Sequence, residues 1–119
     1  MIREIRLYGD PVLRKKAQPV TEFDDGLKQL VADMFETMDD AYGAGLAAPQ
    51  IGELKRVFVV NLYGEPDEEG EREKLGQLAL INPEIIERHG EQQTLEGCLS
   101  IPGLRFDGVD RAQTVKVRY

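Results

Sequence analysis

A single cysteine, a single histidine, a shortage of basic residues and the absence of any long apolar run set the first limits on this 119-residue chain. One thiol cannot close an internal disulfide, which agrees with a reducing compartment. One histidine, His89, gives a thiol nucleophile almost no choice of base. Nothing approaches the roughly twenty apolar residues needed to cross a bilayer, and Met1-Ile2-Arg3-Glu4-Ile5 does not read as a signal peptide. A cytoplasmic protein with no membrane partner is expected. Lys and Arg number 15 against 22 Asp and Glu, for a formal net charge of −7. Phosphate binding relies on clustered cations, so nucleic acid is not an expected partner.

What is present suits one domain over residues 1–119, since 41% of the residues are hydrophobic and a chain of this length supports one core. After a turn at Tyr8-Gly9-Asp10-Pro11, residues 24–42 carry the clearest helical pattern. Leu27, Leu30, Val31, Met34, Phe35, Met38 and Ala41 repeat at the spacing that buries one stripe, with Asp24 or Asp25 able to cap the start and Gly43 the end. Val57–Val60 and Leu78–Ile81 read as buried strands, and Ile85-Ile86 as the start of another after Pro83. Residues 92–99 read as extended, and Val115, Val117 and Tyr119 alternate with polar neighbours as in a half-buried strand. The acidic run within 64–76 reads as a solvated loop between strands. The fold class expected is α+β, with short antiparallel strands packed around helices.

Two short segments say more than the rest. Residues 43–50 read Gly-Ala-Gly-Leu-Ala-Ala-Pro-Gln and residues 96–100 read Glu-Gly-Cys-Leu-Ser. Six fixed positions in the first segment arise by chance in roughly one chain of this length in a hundred thousand. The pair resembles the first two signature motifs of peptide deformylases, GxGLAAxQ and EGCLS, in the family's order, and the resemblance runs from Ile5 to the end of the chain.

That resemblance implies a hydrolase of protein biosynthesis, which removes the formyl group from the N-terminal methionine of newly made peptides using Fe²⁺, or Ni²⁺, Co²⁺ or Zn²⁺ as substitutes. A metal lowers the pKa of bound water to about 7 and polarises the carbonyl. Cys98 matches the family's cysteine ligand. Gln50 matches the side-chain amide that donates to the developing oxyanion, with the backbone N–H of Leu99 as second donor. Gly43, Ala44, Gly45, Leu46 and Gly97 match positions around the substrate: Gly45 suits close approach of an extended peptide, and Gly43 a turn. Ala44 stands where many relatives carry Val or Ile, which implies a roomier methionine pocket. Glu96 matches a residue that contacts the surroundings of the cysteine. His89, nine residues before Cys98 and next to Gly90, reads as a solvated strand end rather than a ligand.

The family's third motif, HExxH, supplies two histidine ligands and the glutamate base from a central helix, and it does not occur in these residues. The expectation is a C-terminally truncated member whose 119 residues alone neither hold metal tightly nor turn over. The alternative is a non-catalytic deformylase-like protein that binds formyl-Met peptides, or a fragment with no remaining role.

Overall fold

Asp24 starts the single α-helix: its backbone is extended and its carboxylate accepts a hydrogen bond from the N–H of Leu27, satisfying a donor that the first turn leaves open. In the computed structural model, which describes residues 1–119, this helix is α1 (Asp25–Asp40). Leu27, Leu30, Met34 and Met38 are buried, and Val31 and Phe35 partly so, which is the stripe read from the sequence. The helix does not end on a glycine. Tyr42 takes the left-handed conformation (φ 55°), while the N–H of Gly43 returns to the Met38 carbonyl at 2.9 Å. Gly43 itself has no positive φ, so the turn expected there belongs to Tyr42.

The apolar stripe packs on a three-stranded antiparallel sheet in the order β1 (Gly45–Ala47), β2 (Val57–Tyr63), β3 (Lys74–Ile81). Leu46 from β1 and Val57 and Val59 from β2 bury their side chains there, with Ala79 and Ile81 of β3 partly buried against them, while Leu80 is buried outside this cluster. A short 3-10 turn, Ala48–Ile51, closed by Gly52 at φ 84°, carries the chain away from β1 and adds Ala48 and Ile51 to the core. Asp33 is the buried charge on α1. It accepts hydrogen bonds from the Met1 amino group (2.9 Å), Gln29 (2.7 Å) and Arg3 (2.9 Å), and these donors hold its carboxyl down at about 2. The N-terminal segment is thereby tied to the helix.

Beyond Pro83, β4 (Glu84–His89) pairs with β7 (Thr114–Arg118), and the antiparallel pair β5 (Gln92–Cys98) and β6 (Ile101–Arg111) is inserted between them in sequence. The long strand β6 was not anticipated, because Pro102, Gly103 and Gly108 interrupt any strand pattern. Register shifts opposite Thr94/Glu96 and Gly97/Cys98, with positive φ at Gly103 (79°) and Gly108 (67°), let the strand continue through them.

The core is unevenly shared. Of the 15 buried residues, only Ser100 lies beyond Leu80, and Ile85, Ile86, Leu95, Leu104, Phe106 and Val115 are all exposed. Two-stranded ribbons are marginal by themselves, so stability rests on α1 and its sheet. Met34→Ala, at a site with 0% exposure, is expected to cost about 2–5 kcal/mol in urea unfolding. Leu104→Ala, at a site with 58% exposure, should stay within about 0.5 kcal/mol. A larger loss at Leu104 than at Met34 would place the core elsewhere.

Candidate active site

β1 is the outer strand of its sheet, and its hydrogen-bonding phase decides what it presents to solvent. The N–H of Asn61 donates to the Ala44 carbonyl at 2.9 Å, and the register continues as Gly45↔Val60 and Leu46↔Val59. In an antiparallel ladder inward-bonded and outward-facing residues alternate, so Ala44 and Leu46 bond toward β2 while Gly45 turns its N–H and C=O outward. Ala47 faces the same way as Gly45. Its N–H is taken by the side-chain oxygen of Gln50 at 2.9 Å.

This bond fixes the Gln50 amide. A backbone N–H only donates, so Oε1 must face Ala47 and the NH₂ must point away from it. Nε2 donates to the hydroxyl of buried Ser100 at 3.1 Å and lies 3.6 Å from the Cys98 sulfur. One of its two hydrogens is thus engaged by a hydroxyl. The other meets only a long contact to sulfur, a weak acceptor, and remains available to an oxygen placed beside the thiol.

The other residues anticipated from the sequence converge on the same place. Gly43, Ala44 and Gly45 face Gly97, Cys98 and Leu99 across a cleft of about 790 Å³ that Gln50 also lines, and the Cys98 thiol is exposed. Gly43 is needed for close approach: a Cβ there would stand 2.8 Å from a Leu99 methyl and 3.4 Å from Met38 Cγ. The two motifs therefore touch through Gly43 and Leu99. Leu46 is the exception, since its side chain does not line the cleft. At 2% exposure it belongs to the core, because strand alternation turns its side chain inward while the ladder turns its N–H and C=O into β2.

Two contributors escaped sequence reading. Ser100 lies inside the second motif, yet nothing in the motif says that its hydroxyl holds Gln50. Arg111, on β6, reaches Glu96 on β5 with two hydrogen bonds of 2.7 and 2.6 Å, and the Thr94 hydroxyl adds a third at 2.5 Å. Arg111 first and Thr94 second pull the Glu96 carboxyl from 4.5 to about 2. No spacing rule links residues 96 and 111; only the strand pairing does. His89 sits exposed at the end of β4, 3.2 Å from Glu87, and does not line the cleft.

A catalytic metal centre of the zinc or iron type commonly takes three protein ligands and an open position. Cys98 offers one sulfur, and no group of three or more His, Cys, Asp or Glu side chains converges anywhere in the chain. These residues by themselves do not fit a three-ligand centre.

The Glu96–Arg111 pair has a consequence in acid. Glu96 stays charged in the fold down to about 2 but takes up its proton near 4.5 in the unfolded chain. The stability it contributes is therefore complete above the unfolded value and lost as pH falls through the folded one. Arg111→Met should return the Glu96 titration toward the ordinary carboxylate range and flatten this part of the acid dependence, as followed by ¹³C NMR. An unchanged midpoint would remove Arg111 as the cause.

A sequence model of the polypeptide deformylase family matches residues 2–119. The peptide deformylase of Thermus thermophilus is 48% identical over 124 residues, an alignment that takes in 100% of this chain and 64% of the relative. That of Acidobacterium capsulatum is 52% identical over 120 residues, covering 99% and 65%. Among solved structures, the Legionella pneumophila peptide deformylase superimposes with a TM-score of 0.84 at 48% identity, covering 98% of this chain and 64% of the other. A class I type b peptide deformylase from Acinetobacter baumannii, solved with Met-Ala-Ser bound, gives 0.88 at 33% identity, covering 100% and 76%. The chain spans about 64% of the length of the first of these curated relatives. It belongs to the peptide deformylase family.

Proposed function

We propose that the cleft binds the N-formylmethionine end of a newly made peptide, and that the chain serves the metal-dependent hydrolysis of the formyl group. The observation that carries this reading is the Gln50 amide, locked by Ala47 so that a donor N–H points beside the Cys98 thiol. An extended peptide lying along the outward edge of Gly45 gains a β-strand partner, and its formyl oxygen then comes within reach of Gln50 and the Leu99 N–H. The Acinetobacter relative was solved with Met-Ala-Ser bound, a peptide of the class left by deformylation, which supports a peptide as the ligand of this family member too.

On this reading Cys98 is one ligand of Fe²⁺, or of Ni²⁺, Co²⁺ or Zn²⁺ in its place. The two histidine ligands and the glutamate base come from outside these 119 residues, in a longer natural chain or a partner polypeptide, and the residues present bind and orient rather than turn over. The metal supplies an activated water. What this chain supplies is the strand edge, the oxyanion donors and the thiolate. The site of action is the cytoplasm, where new peptides emerge, and no helix here is long and apolar enough to cross a membrane.

The test uses the 119-residue chain, anaerobic, with Fe²⁺ or Ni²⁺ and formyl-Met-Ala-Ser. Expected are binding of the formyl peptide above that of its unformylated form, a loss of about tenfold in Gln50→Ala, and no turnover. Turnover that disappears in Cys98→Ala would overturn the division of labour and make the chain an enzyme unaided. Equal binding of the two peptides would overturn the substrate assignment. Adding a polypeptide with the HExxH helix should restore hydrolysis, and removing a single oxyanion donor in that assembly should cost about 10²–10³ in rate. Binding without any such restoration would favour the non-catalytic peptide binder.

A further inference from the structure

Asn61 lies on β2 opposite the residues that lead into β1, and it bonds two consecutive carbonyls there. Its backbone N–H takes the Ala44 oxygen at 2.9 Å and its side-chain Nδ2 takes the Gly43 oxygen at 2.9 Å. In extended chain consecutive carbonyls point in opposite directions, so a strand partner's backbone alone cannot hold both. A short side chain with a donor can reach the second. The two bonds together fix the rotation of the peptide plane between Gly43 and Ala44, and so the direction in which the following residue, Gly45, presents its outward edge.

The Asn61 amide is itself held. Its Oδ1 accepts from Gln77 Nε2 on β3 at 2.9 Å, and the same Gln77 nitrogen reaches both oxygens of Asp39 at 3.0 and 2.9 Å. Asp39 belongs to the last turn of α1 and also receives Lys74 at 3.3 Å. With its oxygen committed to Gln77, the Asn61 amide can turn only its NH₂ toward Gly43. The end of α1, the middle of β2 and the start of β3 are thereby tied to one carbonyl next to the groove. None of this network belongs to either motif.

We propose that Asn61 is a positioning residue that sets the pitch of the β1 edge through the Gly43 carbonyl, with Gln77 and Asp39 holding its amide in the working orientation. The proposal rests on the reading of that edge as the strand on which a formyl-Met peptide lies. Thr at position 61 keeps a good strand former but is too short to reach Gly43, whereas Gln77→Met leaves Asn61 in place and removes what orients it.

The experiment compares the full chain with Asn61→Thr and Gln77→Met by two readouts. The first is amide hydrogen exchange without any ligand. The Leu46 N–H, which bonds into β2, should exchange about tenfold faster in Asn61→Thr and about threefold faster in Gln77→Met, with the Phe58 and Leu80 amides, which join β2 to β3, unchanged. The second is binding of labelled formyl-Met-Ala-Ser against formyl-methionine amide, which is too short to lie along β1. Asn61→Thr should weaken the tripeptide about tenfold and the short ligand less than about twofold. Unchanged Leu46 exchange overturns the proposal whatever the peptides do. Equal losses for both ligands, or faster exchange spread over Phe58 and Leu80, also overturn it, because either marks general loosening. If wild type binds neither ligand, the peptide reading fails while the exchange result still decides the role of Asn61.

Discussion

The side-chain amide of Gln50 is the joint on which the arrangement of this protein depends. It is anchored to β1 by the Ala47 N–H and joined to the second motif by the Ser100 hydroxyl, while the backbone carbonyl of the same residue accepts from the Arg6 N–H at 2.7 Å. Only a few further ties cross the same boundary: the Tyr8 N–H to the Ser100 carbonyl at 2.7 Å, and the contact between Gly43 and Leu99. One primary amide therefore sets the distance between the strand edge and the thiol. Glutamate in its place could accept from Ala47 but, ionised, could not donate to Ser100, so the joint requires a group with both capacities.

The joint matters the more because the two parts it connects are unequally stable. α1 and its sheet bury the apolar residues, whereas the β4–β7 and β5–β6 ribbons keep Ile85, Leu95, Leu104 and Val115 wet. Ion pairs lace the ribbons across their strands, Glu96 with Arg111 and Glu84 with Arg118 at 2.7 Å. Exposed pairs of this kind contribute little to global stability, but a bidentate guanidinium–carboxylate contact fixes local geometry well. The Glu96 pair lies immediately before Gly97 and Cys98, where β5 bulges. The pair pins β6 to β5 beside that bulge.

How much of this the sequence disclosed follows from the range of each interaction. The helix was legible because its stripe from Leu27 to Met38 is periodic and its cap, Asp24, acts three residues away. β2, β3 and β7 were legible as apolar or alternating runs. β6 was hidden because its glycines and proline oppose every local strand preference, and only pairing with β5 overrides them. At the site, the two motifs announced Gly45, Gln50 and Cys98, and the cleft brings those three together. The burial of the Leu46 side chain was not legible, since a motif does not state which way a strand faces. The end of α1 was assigned to Gly43 because glycine usually fills that position, yet the left-handed residue is Tyr42, and Gly43 is spent on contact with Leu99. Ser100, Arg111 and Asn61 act through side chains that meet only after the sheet register is set.

The charge of the cleft gives a further reason to connect this geometry with a blocked amine. The chain is acidic, at −7 overall, but the 15 residues that line the cleft include no Asp or Glu, and Arg105 is their only charged side chain. A formylated methionine brings no charge to its amino end, so it gives up little hydration on entering and needs no counter-ion there. Removal of the formyl group leaves an α-amine with a pKa of about 7.7–8.0, mostly cationic at neutral pH. Among these residues such a cation finds no carboxylate to hold it, while Arg105 adds a weak repulsion. On the proposed reading, the 15 residues that this chain contributes suit a neutral end better than a charged one, and the negative groups of the working site are left to the Cys98 thiolate and the glutamate supplied from outside.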